Sequence, residues 1–385
     1  MKNLFPNFFD KHLAAGFLSA AILIALLING AHHGADFQVF YQAGARALSG
    51  LNLYQESDGW MVYKYHPAWA AFFSIFAPLP QAAAIVVFNV VMFGVWWIGV
   101  RIWASWLDYD IKNPTHRLLL LLLSLSAFSA ETGFGQVNGI LFLGLTMVAS
   151  LLEGKQPRPL LAGILVTVLI SLKLNFGLLF VYVLFKNLRS VFGIFLGVVI
   201  LHFITASFFN NWLALDVYHN WIQLLLGQSS TQYYIFESQG LLRFFHSVFG
   251  ENGKFLWLTT LLLFLYGGFR LSRKSFPNPA IPAGYWMGGI YLLSPLPWWY
   301  QILFMYPLIF FLFKTPLTAK ERKILCFCLI VYAGVTFNTI GRNGIIWFKE
   351  WQGFFLCSLL IYCIFLKQVF VPSLRLRAPM AKRTT

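Results

Sequence analysis

The chain has 385 residues, 59% of them hydrophobic and 11% charged, with a mean hydropathy of +0.69 and a net charge of +15. No soluble domain of this length hides so much apolar surface, so the composition excludes a soluble globular protein and predicts an all-α integral membrane fold. The basic residues punctuate apolar runs instead of gathering in a soluble patch, which argues against nucleic acid as a partner.

In chain order, the first apolar run, Leu13 to Ile28, follows Lys2 and Lys11. It lacks an Ala-x-Ala-like cleavage site and more spans follow, so it reads as a retained anchor. The predicted spans are 13–30, 81–103, 117–131, 138–152, 159–172, 174–187, 190–208, 254–270, 281–294, 299–313, 323–340 and 350–366, about twelve crossings in a single polytopic domain over 1–385. The apolar segment 67–78 is short and closed by Pro78-Leu79-Pro80, and reads as a juxtamembrane or re-entrant helix. With this threading only Arg46, Lys64, Lys173, Arg243, Lys254, Arg342 and Lys349 of the 28 basic residues face outward; all others lie on the side of the termini. The positive-inside rule therefore puts both termini in the cytoplasm. The basic tail 367–385 would meet anionic headgroups of membrane lipids there.

Two long loops, about 31–66 and 209–253, then face outward, and function is expected on that face. The spans 159–172, 174–187, 281–294 and 299–313 are short for a hydrocarbon core of about 30 Å, and suit the lining of a cavity entered from outside. Cys326, Cys328, Cys357 and Cys363 all fall in late apolar stretches, as core thiols and not disulfides or metal ligands.

Acids are scarce, which singles out Asp36, where the first span meets water. The stretch 37–49 reads as an amphipathic helix lying on the outer surface, with Phe37, Phe40, Tyr41 and Leu48 opposite Gln38, Gln42, Arg46 and Ser49, and Gly50 as its stop. Asp36 is then either the N-cap of that helix, a general base at a cavity mouth, or both. His66, in Tyr63-Lys64-Tyr65-His66-Pro67, contacts a phosphate or sugar, or is merely solvated; His32 and His33 carry the same ambiguity. The connector Glu131-Thr132-Gly133-Phe134-Gly135-Gln136-Val137-Asn138-Gly139 suggests either backbone drawn close around a polar ligand or a tight turn. Lys173 interrupts an apolar run, where a charge costs about 2.5–3.5 kcal/mol on insertion scales. It either snorkels or binds an anionic headgroup.

The second outer loop carries Asp216, His219, Glu237, Gln239, Arg243 and His246 among aromatic residues that include Tyr233 and Tyr234. Such rings stack on sugars, or form an interfacial belt. A proline-stiffened turn, Ser294 to Gln301, follows later. No Walker loop, zinc signature or Ser-His-Asp order occurs, and no spacing of Glu131, Asp36 and the histidines supports a metal site.

Three blocks, in this order, carry a resemblance. The first is Asp36-Phe37-x-x-Phe40-Tyr41-x-Ala43-x-x-Ala47-Leu48-x-Gly50-x-x-x-Tyr54 with Tyr65-His66-Pro67; the second is Gly135-Gln136-x-Asn138 with Ala162-Gly163 and Lys173; the third is Ser294-Pro295-x-x-Trp298. Over most of its length the chain resembles the integral-membrane glycosyltransferases of family 87, within the GT-C superfamily. That family often has Tyr-Pro-Pro where this chain has Tyr65-His66-Pro67. It commonly carries a histidine, which helps hold the donor phosphate, where this chain has Trp299-Tyr300-Gln301.

The resemblance implies a GT-C-type fold with outer-face juxtamembrane helices, in a bacterial inner membrane. It implies a polyprenyl-phosphate sugar as donor, most simply mannose, and a lipid or glycan acceptor. No cofactor is implied. Asp36 would remove the acceptor proton, and inversion would proceed through an oxocarbenium-like transition state. Lys173, Arg243 and His66 are the candidates for the donor phosphate, with Arg342 as a further cation. Gln136, Asn138, Tyr65, Gln239, Trp298 and Tyr300 are the candidates for the substrates. The rival readings are a transporter of lipid-linked glycans, an O-antigen polymerase or ligase using a diphosphate donor, and a scaffold descended from an enzyme.

Overall fold

A computed structural model describes residues 11–209, 211–228, 238–274, 276, 278–335 and 337–370. Tyr233, Tyr234, Glu237 and the basic tail from 371 onward lie outside the described residues, as does Lys2.

Apolar runs become helices because a backbone in lipid must satisfy its own hydrogen bonds. In chain order the helices are α1 (Lys11–His32), α2 (Ala35–Leu48), α3 (Pro67–Phe73), α4 (Gln81–Trp106), α5 (Pro114–Leu123), α6 (Leu125–Phe134), α7 (Asn138–Glu153), α8 (Pro159–Leu172) and α9 (Leu178–Lys186). They continue with α10 (Ser190–Phe208), α11 (Leu215–Gln228), α12 (Leu241–Phe249), α13 (Gly253–Ser272), α14 (Ala280–Leu293), α15 (Tyr306–Phe313), α16 (Ala319–Gly334), α17 (Phe337–Glu350) and α18 (Gly353–Phe370). Among the described residues five helices are long and apolar enough to cross a membrane, or seven if each of two bent pairs counts as one span. The expected span 117–131 is one of those pairs: α5 and α6 meet at a 62° bend. The other joins α16 to α17, so the expected span 323–340 breaks at Gly334. Segments 67–76, 138–153, 159–172, 174–186 and 299–313 form shorter apolar helices.

Burial separates inside from outside. Nearly every side chain of α14 is buried, as expected of a helix that is apolar all round and central. On α10, by contrast, Phe192 and Phe195 are exposed, the signature of a face turned to lipid. Helix association in lipid depends on close backbone approach at small residues. A Cβ on Gly139 of α7 would sit 2.4 Å from Met92 O of α4, so only glycine lets these two helices meet.

The four thiols are all free; Cys328 and Cys357 are buried while Cys326 and Cys363 are exposed, so only half of them are core thiols. Lys367, at the start of the expected tail, lies in α18 and pairs with Glu321 at 2.7 Å.

Helix α2 begins two residues earlier than its apolar pattern suggests. Its N-cap is Gly34, in the left-handed region (φ 73°), with no side-chain cap. Asp36 is therefore not the N-cap; it lies in the first turn with its carboxylate free for other partners. Phe37, Phe40, Ala43 and Ala47 form the buried face, while Leu48, expected on that face, is exposed. Arg46 reaches Asp58 with two hydrogen bonds, at 2.5 and 2.7 Å, which pins the following loop. Gly50 (φ 66°) follows the helix stop as expected.

Candidate active site

Four breaks in the helical backbone converge: the start of α2, the α6–α7 junction, the end of α8 and the 3-10 segment Trp299–Met305. Irregular backbone at membrane depth is tolerated only where protein or a water-filled cavity surrounds it. The first two breaks are tied together directly, since Gly34 N donates to Gly133 O at 2.6 Å. Gly135 ends α6 in the left-handed region (φ 70°), and a Cβ there would come within 2.5 Å of Phe37 Cβ. The glycine-rich connector is thus a tight turn drawn close to protein, next to Asp36. Gly135→Ala is expected to cost about 1–3 kcal/mol in thermal unfolding, through strain and overpacking. It should also lower activity, because Phe37 carries Asp36 with it.

Gln136 Nε2 donates to Asp36 Oδ2. Asn138, the first residue of α7, donates through Nδ2 to Glu131 Oε1. Its Oδ1 accepts from Lys173 Nζ and from Gln301 Nε2, both at 3.4 Å. One amide thus joins an anion on its donor side to a cation and a second amide on its acceptor side. Lys173 Nζ also lies 6.0 Å from the centroid of the Tyr300 ring, which stacks on Trp298 at 5.9 Å. Glu131, Gln136, Asn138, Tyr300 and Gln301 are buried, whereas Asp36, Lys64 and Lys173 are half-buried.

Burial raises the Asp36 carboxyl above the ordinary carboxylate range, opposed by the charge of Lys173, the Gln136 hydrogen bond and the charge of Lys64, in that order. Lys64 is lowered by the same burial, with Asp36 pulling it back up. A raised carboxyl is a stronger base than a free one, provided that cations keep it ionised.

Of the expected site residues, Asp36, Gln136, Asn138, Lys173 and Tyr300 are brought together. Tyr65 joins them: its ring packs edge-on against Phe40 at 4.9 Å and burial and the charge of Asp36 raise its hydroxyl. Trp298 adjoins through Tyr300. Gln239 is anchored beside it, its N donating to Pro297 O at 2.7 Å and its Nε2 to Lys349 O at 2.9 Å. Arg243 donates to Ser238 O at 2.8 Å, and Ser238 bridges to Trp298. Arg342 is exposed on α17. His32 and His33 are exposed at the end of α1.

His66 stands at the start of α3. Its Nδ1 accepts from Ala68 N at 3.2 Å, capping α3, and its ring packs edge-on against Trp221 at 5.0 Å. Burial lowers its pKa from 6.5 to about 4, so it is neutral near pH 7. Its stabilising contribution is complete above pH 6.5 and is lost as the pH falls through about 4. His66→Ala should cost about 1 kcal/mol of stability, whereas His66→Asn, which can still cap, should cost less, as read by thermal unfolding.

Two members of the cluster were not singled out from the sequence as site residues. Glu131 had a usable signal, an acid at the end of an apolar segment, which in a membrane is functional until shown otherwise. Gln301 closes the proline-stiffened turn that begins at Ser294, and its reach to Asn138 needed the fold. Among the described residues no three of His, Cys, Asp and Glu converge as a metal site.

The family model of glycosyltransferase family 87 matches residues 63–295. The match includes Lys64, Glu131, Gln136, Asn138 and Lys173; Asp36 precedes it, and Trp298 to Gln301 follow it. Neither a curated protein nor a solved structure matches the chain. A membrane glycosyltransferase takes a sugar donor and an acceptor, and on the span of the family match this chain belongs to glycosyltransferase family 87.

Proposed function

We propose that the chain is an inverting glycosyltransferase that moves mannose from a polyprenyl-phosphate donor to a lipid or glycan acceptor. One observation carries the reading: the half-buried Asp36 carboxylate shares a polar cluster with Lys173, where four helix breaks meet. Asp36 takes the proton of the acceptor hydroxyl, and that oxygen attacks the anomeric carbon from the face opposite the phosphate. The C–O bond to phosphate breaks with its electron pair on the leaving oxygen. A phosphate leaves without protonation, so one carboxylate suffices. Lys173 stabilises the departing charge, with Arg243 as a second cation beside the Trp298 turn.

Gln136 Oε1 is buried and no donor among the described residues reaches it, which suits it to accept from a substrate hydroxyl. The half-buried Trp298 ring, backed by the buried Tyr300 ring stacked on it, offers a face for a sugar, bordered by Tyr65 and Gln239. In this reading the domain spans 1–385 with about twelve crossings, in a bacterial inner membrane. Both termini are cytoplasmic and the cluster opens outward. The short apolar segments 159–172, 174–186 and 299–313 support it, since each ends or begins at the cluster.

The test is transfer by the purified chain in lipid, with radiolabelled polyprenyl-phosphate-mannose and a panel of lipid and glycan acceptors. Transfer with inverted anomeric configuration is expected. Turnover of a diphosphate-linked donor, with none of the monophosphate, would overturn the proposal.

A further inference from the structure

Helices α8 and α10 run parallel in close contact. A Cβ on Gly193 would lie 2.0 Å from Leu160 O, and one on Gly197 would lie 2.7 Å from Thr167 Cβ. Thr167 Oγ1 donates across the contact to Ile194 O at 3.2 Å. Contacts advance together along both helices, so both begin at the same end. Arg158 and Arg189 immediately precede their first residues.

An open groove of about 540 Å³ lies at that end, lined by Arg158, Pro159, Leu160, Leu161, Arg189 and Phe192. Phe192 is 71% exposed, and both arginines are exposed. Neither guanidinium has a side-chain hydrogen-bond or ion-pair partner among the described residues. The neighbouring acid, Glu153, is already taken by Lys186 at 2.6 Å and Tyr182 at 3.1 Å. The groove is at the opposite end of α8 from Lys173, about 20 Å away along the helix.

In a bilayer, apolar walls that no helix covers are covered by acyl chains. Two unpaired guanidiniums at one end of those walls call for an anion that brings its own apolar body. The planar guanidinium matches phosphate oxygens with two parallel hydrogen bonds. A second copy of the chain is a poor occupant, because a two-fold contact through this face would bring four guanidiniums together.

We propose that this groove binds one anionic glycerophospholipid. Its phosphate sits between Arg158 and Arg189, and an acyl chain runs along Leu160, Leu161 and Phe192. The site is separate from the Asp36 cluster and does not depend on the donor or acceptor of the enzyme.

The full-length chain in detergent, titrated with phosphatidylglycerol or with phosphatidylcholine of the same acyl chains, tests this by native mass spectrometry. One phosphatidylglycerol per chain should be retained about thirtyfold more tightly, the ratio that two interfacial cations supply. The pair R158Q/R189Q should abolish that preference. A benzophenone side chain at position 192, with both arginines intact, should crosslink phosphatidylglycerol in preference to phosphatidylcholine, which keeps the test decisive if the double variant misfolds. Equal retention of the two lipids would overturn the proposal, as would a preference that survives in a folded double variant. A crosslink to a second protein chain would also overturn it. So would loss of the preference on adding inorganic phosphate with no lipid crosslink, since the groove would then hold only a bare anion.

Discussion

Asp36→Asn is expected to lower sugar transfer by about 10²–10⁴-fold, the range for loss of a general base, while leaving the protein as stable as before or more so. The second half follows from the sign of the shift. Burial raises the carboxyl in the folded state, so the folded protein binds the Asp36 proton more tightly than the unfolded chain does. Its contribution is present below the ordinary pKa of 3.8 and is lost as the pH rises through the raised value. At neutral pH the ionised carboxylate is a strain that a neutral amide relieves. The amide oxygen introduced by the substitution can still accept from Gln136. A lower melting temperature together with lost activity would mark Asp36 as a structural residue. Retained activity would remove it from the chemistry.

Lys173→Met should remove activity and stability together. Removing a half-buried cation that a buried acid reaches through one amide costs about 1–3 kcal/mol, less than breaking a direct buried ion pair, because the partner is left under-satisfied. Here that partner is Glu131, reached through Asn138. Loss of a cation that stabilises the leaving phosphate should cost a further 10²–10³-fold in turnover, by analogy with removal of one oxyanion donor. The double variant Lys173→Met/Glu131→Gln separates the two effects. It should recover most of the stability, since neither charge then remains, yet none of the activity. Additive losses in thermal unfolding would show that Glu131 and Lys173 do not act on each other.

The sequence was most legible where a physical rule acts locally. Apolar length placed most of the helices, and α8 and α10 have the predicted bounds. The rule fails where a short kink divides an apolar run, as between Leu123 and Leu125, because bending leaves hydropathy unchanged. Asp36 stood out as a scarce acid where the first span meets water, Gln136 and Asn138 as part of a glycine-rich connector, and Lys173 as a charge in an apolar run, and they meet in the fold. Of the roles the sequence leaves open for Asp36, the cap falls away because Gly34, two residues earlier, supplies the left-handed turn that starts α2. His66 could not be placed from its sequence neighbourhood. What occupies its ring is its own helix, together with Trp221, more than 150 residues away in the chain. Glu131 and Gln301 depend on Asn138 for their place in the cluster, and spacing alone does not reveal an amide that serves three partners.

The pH dependence of kcat/KM for transfer, in the wild type and in Lys64→Met, tests the role of Asp36 most directly. The wild type should lose activity on the acid side at a pH above the ordinary carboxylate range, because burial raises Asp36. Lys64→Met should move that limb higher still, since the charge of Lys64 lowers the Asp36 pKa. An acid limb that Lys64→Met leaves unmoved, or that lies at the pKa of a solvated carboxylate, would contradict the assignment of Asp36 as the base.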